Sequence, residues 1–262
     1  MPLGEMIPQS ITRYRNGQLT SEENHVAVEV PLTFVVNGKE TATLMCTPSH
    51  LEAYAHGFLF TSGFISSRDD VISLDCDRRK WRMDIQLKSM PDPELLGQRV
   101  YTSGCGKGVM YTSVAELSGR RPIEDDTRIS GEKIITLMSW LQKCSQLHST
   151  TGGVHSVAVS EGGEIPDSHI DDIGRHNAVD KVIGRLIMAD QSPRGLVLAG
   201  TGRISSEILH KARRMGIPII VSRGAPTHQS LLLAHEMGMT LVGFVRRTNF
   251  AIFTHAQRII AP

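Results

Sequence analysis

The chain has 262 residues, of which 40 % are apolar and 21 % charged, and its formal net charge is +1. That balance excludes a disordered chain and a protein that coats nucleic acid, both of which need a marked charge excess or a shortage of apolar residues. Four cysteines, Cys46, Cys76, Cys105 and Cys144, include no C-x-x-C pair, so neither a disulfide framework nor a zinc knuckle is indicated and a cytoplasmic location is expected. The stretch from Met1 to Asn24 lacks the apolar core of a signal peptide, and no segment approaches the roughly 20 apolar residues of a membrane span. No membrane partner is expected.

In chain order, residues 1–25 read as an irregular segment. Val26 to Val36 is rich in β-branched residues, Asn37-Gly38 supplies a two-residue hairpin turn, and Thr41 to Cys46 returns as its partner. Thr47-Pro48 reads as an N-cap followed by proline, with Leu51, Ala55, Phe58 and Leu59 at helical spacing up to Gly63. Trp81, Met83, Ile85 and Leu87 alternate with polar residues as in a half-wet strand. Residues 26–124 therefore form a β-rich, antiparallel portion that contains a glycine-rich loop around Cys105.

From about residue 125 the pattern becomes α/β. Ser130 opens a helix carrying Ile134, Leu137, Met138, Leu141 and Cys144 on one face, which His148 to Gly153 end. Val154 to Val159 and Asp172 to Ala189 read as a strand and a helix, with Asp171 or Asp172 as its N-cap. Apolar runs at Leu196 to Ala199, Ile217 to Val221 and Leu241 to Val245 then alternate with helices near Ser205 to Met215 and Thr227 to Met237, and Gly216 and Gly238 stand where helix C-caps belong. Continuous apolar strands between helices predict a parallel sheet covered on both faces over residues 125–262.

Ligands of such sheets sit beyond the carboxyl ends of the strands. Three loops meet there: Gly200 to Ser206 with Gly202, Arg203 and Ser205, Ser222 to Thr227 with Arg223, Ala225 and Pro226, and Arg246 to Asn249. Guanidinium groups, small hydroxyls and helix N-termini in one place favour a phosphate or pyrophosphate. The run Gly200-x-Gly202-x-x-Ser205 is only a partial dinucleotide fingerprint, and Arg223 stands where an acidic ribose partner belongs, so NAD is disfavoured and an NADP oxidoreductase remains a rival. His176, Asn177 and Asp180, on the first turns of their helix, can orient the rest of a ligand, whereas His155 reads equally as a core histidine. Cys105, between Gly104 and Gly106 and followed by Lys107, has open access and a nearby ammonium that favours its thiolate. Cys46 and Cys144 read as packing, and Cys76 lies between Asp75 and Asp77, which disfavour its ionisation. His50-Leu51-Glu52 matches half of a zinc-deaminase signature, but the downstream P-C-x-x-C is absent, so no zinc is expected.

The runs EVPLTFVVNG (29–38), TLMCTP (43–48), TGGVHSVAV (151–159), DDIGRHNAVDKVIG (171–184), GRISSEILHKA (202–212), SRGAPT (222–227) and LVGFVRR (241–247) closely resemble the formate dehydrogenase accessory protein family, FdhD. The resemblance implies a cytidine-deaminase-like α/β sheet with helices on both faces. It also implies a homodimeric sulfurtransferase that takes persulfide sulfur from a cysteine desulfurase and delivers it to the bis-molybdopterin guanine dinucleotide cofactor of formate dehydrogenase, with a GDP-like guanine nucleotide as a surrogate ligand. Cys105 would carry the sulfur. The family's loop usually contains C-x-x-C, whereas here Cys105 aligns with the first cysteine and Gly108 occupies the place of the second. One thiol can carry a persulfide but cannot resolve it internally as a disulfide. The departure keeps a second reading in view, a molybdenum-cofactor chaperone without sulfur chemistry.

Overall fold

Asparagine-glycine turns organise the first third of the chain. The structure, a computed structural model, describes residues 3–89, 99–101, 109–111 and 122–261. The N-terminal segment, expected to be irregular, is a long hairpin in which β1 (Met6–Arg15) pairs antiparallel with β2 (Gln18–Ala27). Asn16 and Gly17 both take positive φ, 51° and 83°, as a primed two-residue turn requires. Both faces of these strands are largely polar and exposed, so the alternation that marks a half-buried strand is missing. The hairpin also takes Val26 and Ala27 from the strand predicted over Val26 to Val36.

The predicted hairpin then forms, β3 (Val30–Val36) against β4 (Lys39–Cys46) across Asn37-Gly38. With β5 (Val71–Asp77) and β6 (Arg82–Leu87) it makes a four-stranded sheet of order β4-β3-β6-β5, in which β3 and β6 run parallel. A separate pair, β7 (Arg99–Tyr101) and β8 (Val109–Tyr111), is antiparallel. Helix α1 (Leu51–Thr61) begins later than Thr47-Pro48 suggested: its N-cap is His50, left-handed at φ 51°, and the Thr47 side chain is taken by acceptors elsewhere.

The second half starts with β9 (Ile129–Ser130), which pairs with the C-terminal β16 (Ile259–Ile260), and with α2 (Gly131–Cys144), capped by the Ser130 hydroxyl accepting from the Lys133 amide. Helix α2 stops before Ser145 rather than continuing to His148, because Ser145 caps a separate short helix, α3 (Gln146–Thr151). A six-stranded sheet follows, of order β11-β10-β12-β13-β14-β15: β10 (His155–Glu161), β11 (Ile170–Asp172), β12 (Leu196–Gly200), β13 (Ile219–Ser222), β14 (Thr240–Gly243) and β15 (Ala251–Ile252). Only β12, β13 and β14 are mutually parallel; the flanking strands are antiparallel, so the sheet is mixed. Helices α4 (Arg175–Met188), α5 (Ser206–Met215) and α6 (His228–Met237) connect its strands, with Gly216 and Gly238 at positive φ ending α5 and α6 as expected.

Strand alternation distributes the apolar runs between two cores. Val197, Ala199, Ile219, Val221 and Val242 face Ile134, Leu137, Met138 and Leu141 of α2. Leu196, Leu198, Ile220 and Leu241 face the other side, in a cluster that also holds Ile183 of α4, Tyr54 and Phe58 of α1 and Phe34 of β3. Both faces of β12 to β14 are therefore dry, which is why their sequences lack polar positions. The residues before and after 125 share this second core.

Helices α1 and α4 cross almost backbone to backbone. A Cβ on Gly57 would stand 1.7 Å from the Asp180 carbonyl oxygen, and one on Gly184 1.7 Å from that of Ala53. Only glycine fits either place.

Candidate functional site

Beneath the site lies a buried polar frame that joins the two halves of the chain. Asp171 and Asp172 end β11 rather than capping α4. Asp172 pairs with Lys181 at 2.6 Å, both with fully buried side chains, and its oxygens accept from the amides of Thr47 and Gly174, the Thr47 hydroxyl and Asn177 Nδ2. Lys181 also donates to the Thr47 carbonyl and hydroxyl. Asn177 is held at both ends, donating to the Met45 carbonyl and accepting from the Tyr54 hydroxyl. Asp171 accepts from Ser145 and Ser156 and lies 3.3 Å from His169; burial opposes its charge, but these hydrogen bonds hold its carboxyl below the usual range.

One turn on, Asp180 is ion-paired to Lys211 at 2.7 Å and accepts from Thr61. Burial pushes the Asp180 carboxyl up, and Lys211 opposes that without cancelling it. His176 Nε2 lies 3.1 Å from Ser205 Oγ and 3.4 Å from a Glu207 oxygen. Burial, with Lys211 and Arg175 nearby, pushes this imidazole down to about 3, so it is neutral at physiological pH. Of the three residues expected to orient a ligand from α4, Asn177 and Asp180 thus spend their side chains inside the frame. His176 reaches the Gly200 to Ser206 loop. Lys181, Lys211, Glu207 and Tyr54 were not singled out from sequence, and Thr47 was read only as a helix cap; a lysine in a helix carries no local sign that a carboxylate from another element meets it.

At the carboxyl edge of the sheet the three predicted loops come together. The Ser222 hydroxyl donates toward the Gly200 and Gly202 carbonyls and accepts from the Gly224 amide. Ile204 and Pro226 form a parallel bridge, Ile204 N donating to Ala225 O and Thr227 N to Ile204 O. The third loop joins through Val245 N to Ser222 O and Phe244 N to Gly224 O. Gly224 is required there, since a Cβ would lie 2.7 Å from Gly202 O. Ser205 and Thr227 cap α5 and α6 through their hydroxyls. Arg246 donates to the Arg223 and Val245 carbonyls, and its amide to the Asn249 carbonyl, so part of its role is to fasten one loop to the next.

Two clefts open at this rim on the α2 side, of about 440 and 880 Å³, and share Gln142 and Arg223. The smaller is lined also by His148, Gly152, Gly153, His155 and Thr201, the larger by Lys143, Arg246, Arg247 and Thr248. Arg203 lies exposed on the neighbouring loop. Among the described residues, the guanidinium groups of Arg203, Arg223 and Arg247 have no hydrogen-bond partner, so their donors are available to an anion. His155, expected to be either a core or a ligand histidine, opens β10 half-buried, 3.4 Å from the Thr201 hydroxyl; burial and Arg175 lower its pKa. Gln142, Lys143 and His148 were missed because sequence does not show that α2, packed on one face of the sheet, and α3 after it line the clefts at this edge.

A family model described as FdhD/NarQ matches residues 27–260. Proteins named sulfur carrier protein FdhD are similar throughout: that of Geobacillus kaustophilus is 35 % identical over 255 residues, 95 % of either chain, and that of Staphylococcus haemolyticus 37 % identical over 255 residues, 97 % of this chain and 96 % of its own. The chain belongs to the FdhD/NarQ family. A crystal structure from Desulfotalea psychrophila, described as a formate dehydrogenase accessory protein, superposes with a TM-score of 0.79 at 27 % identity, covering 97 % of this chain and 99 % of that one.

For an FdhD/NarQ member the state of the thiols bears on the chemistry. Burial raises Cys46 to about 12 and Cys144 to about 11, values at which a thiolate is scarce. Cys76 is also raised, first by partial burial and only then by Asp75 and Asp77, a different order of causes from the like-charge argument. The segment Gly104, Cys105, Gly106 and Lys107 lies outside the described residues.

Proposed function

We propose that this FdhD/NarQ member is a sulfur carrier acting as a sulfurtransferase in formate dehydrogenase maturation. Cys105 takes sulfur as a persulfide from a cysteine desulfurase and passes it to bis-molybdopterin guanine dinucleotide, the substrate and cargo. In that reading the phosphates of the cargo, or of GDP as its surrogate, lie along the rim of Gly202, Arg203, Ser205, Ser222, Arg223, Ala225, Pro226, Thr227, Arg246 and Asn249. The observation that carries the reading is the meeting of three loops at the sheet edge beside two clefts that share Arg223, to which those loops bring Thr201, Arg223, Arg246 and Arg247, in a chain whose relatives are named sulfur carriers. Cys46, Cys76 and Cys144 all have raised thiol pKa values, which leaves Cys105 as the thiol suited to persulfide chemistry. The protein acts as a homodimer in the cytoplasm, and its six-stranded sheet falls in the cytidine-deaminase-like class, without zinc.

The acceptor step is a thiolate exchange. Cys105 attacks the terminal sulfur of the desulfurase persulfide, a new S–S bond forms as the old one breaks, and the desulfurase cysteine leaves as thiolate. Incubation with a desulfurase and L-cysteine should add about 32 Da, one sulfur, to Cys105 by intact mass. An unmodified protein while the desulfurase turns over would refute the carrier role. The absent second cysteine favours one alternative, a cofactor chaperone without sulfur chemistry. Cys105→Ser separates them: formate dehydrogenase maturation collapses for a carrier and survives for a chaperone.

A further inference from the structure

The larger of the two clefts, of about 880 Å³, has a lining that phosphate binding alone does not explain. Ile135 and Met138, three positions apart on one face of α2, make an aliphatic floor together with Val245 after β14. Around that floor stand Lys143 from α2 and Arg223 and Arg247 from the loops, and no lining residue is acidic or aromatic. Lys143 and Arg247 are exposed, and the side chains of all three cations lack hydrogen-bond and ion-pair partners among the described residues. In a chain whose net charge is only +1, this is a local cationic excess over an apolar base.

Phosphates have no use for an aliphatic floor, and a nucleotide base needs an aromatic face to stack on, which this lining lacks. A peptide that sets an aliphatic side chain between carboxylates meets both demands, with apolar contact beneath and cations around it. Arg223 belongs to both clefts, so a carboxylate reaching it from the larger competes with a phosphate reaching it from the smaller. A partner that displaces phosphates as it docks is one that takes the cargo away. We infer that the larger cleft docks an acidic segment, anchored by an aliphatic side chain, of the enzyme that receives the cargo. The inference rests on the reading above for the identity of that enzyme, formate dehydrogenase, and its docking loosens the phosphates through Arg223.

Calorimetry of the full-length protein with cofactor-free formate dehydrogenase, and separately with inorganic pyrophosphate, tests the inference. Lys143→Glu should weaken binding of the enzyme about tenfold or more and leave pyrophosphate unchanged, since Lys143 stands outside the rim assigned to the phosphates. Ile135→Gln should weaken the enzyme too, and wild-type affinity should fall as salt rises. Saturating pyrophosphate should weaken the enzyme, and the enzyme should weaken pyrophosphate by the same factor. Absence of enzyme binding, or enzyme binding that either Lys143→Glu or pyrophosphate leaves unchanged, would overturn the inference. Loss of desulfurase binding in Lys143→Glu, with the enzyme unaffected, would assign the cleft to the sulfur donor, and loss of self-association alone would assign it to a second copy; either overturns it. If docking fails while Cys105 still gains its sulfur, the carrier reading stands without this cleft. Docking that persists without a sulfur adduct removes the carrier reading alone.

Discussion

Replacing Asp172 or Lys181 probes the frame under the site, and the two replacements are not equivalent. In Asp172→Asn the Lys181 ammonium, with no exposed side-chain surface, keeps the Thr47 carbonyl at 3.1 Å, the Thr47 hydroxyl at 2.8 Å and the Tyr54 ring at 5.5 Å but loses its counter-charge. A buried charge left without its partner costs about 3–5 kcal/mol. In Lys181→Met the Asp172 carboxylate keeps four donors, the amides of Thr47 and Gly174, the Thr47 hydroxyl and Asn177 Nδ2, all at 2.8 to 3.1 Å. That cost should be nearer the roughly 1–3 kcal/mol of a lost charge-assisted hydrogen bond. The double variant should be less destabilised than the two single effects added together, by about 1–3 kcal/mol, because it removes both charges. Urea unfolding followed by far-UV circular dichroism supplies the midpoints and slopes. Lys181→Met costing more than Asp172→Asn, or strict additivity in the double variant, would refute the unequal sharing of hydrogen bonds on which the ranking stands.

Gly184→Ala should abolish folding at 37 °C or lower the thermal midpoint by well over 10 °C, since its methyl would lie 1.7 Å from the Ala53 carbonyl oxygen; scanning calorimetry measures it. His176, held at about 3, stays neutral in the folded state while the unfolded chain gains a proton below its ordinary 6.5. Stability should accordingly fall as pH drops from about 6.5 towards 3, by up to about 1.4 kcal/mol per unit, and His176→Gln should flatten urea midpoints across that window. Arg223→Met, at the junction of the two clefts, should weaken GDP and pyrophosphate alike by about 10- to 100-fold in calorimetry; unchanged pyrophosphate affinity would move the anion elsewhere.

The legible parts of the fold were those whose signals are local. The runs at 196–199, 217–221 and 241–245 became β12, β13 and the end of β14 because both faces of the sheet are covered, and the glycines after α5 and α6 ended them through positive φ. The hairpin β1–β2 escaped notice since it buries little and so shows no alternation, although Asn16-Gly17 was a usable turn signal. Thr47 looked like a helix cap because capping preference is local, whereas its hydroxyl is taken by Asp172, 125 positions away. The same separation explains why Asn177 and Asp180 read as ligand groups and proved to be frame members. The rim loops were foreseeable from strand order. The clefts were not, because their second wall is α2.

The crossing of α1 and α4 has a consequence for biogenesis. While the ribosome has delivered only the first half of the chain, the glycine-lined side of α1 has nothing to rest against, and Thr47 waits for partners at 172 and 181. Such distant pairings cannot close until the later segment emerges from the exit tunnel. The early half is therefore born with an uncovered apolar surface, and nascent chains stalled before residue 172 should depend on trigger-type chaperones far more than those released beyond residue 215.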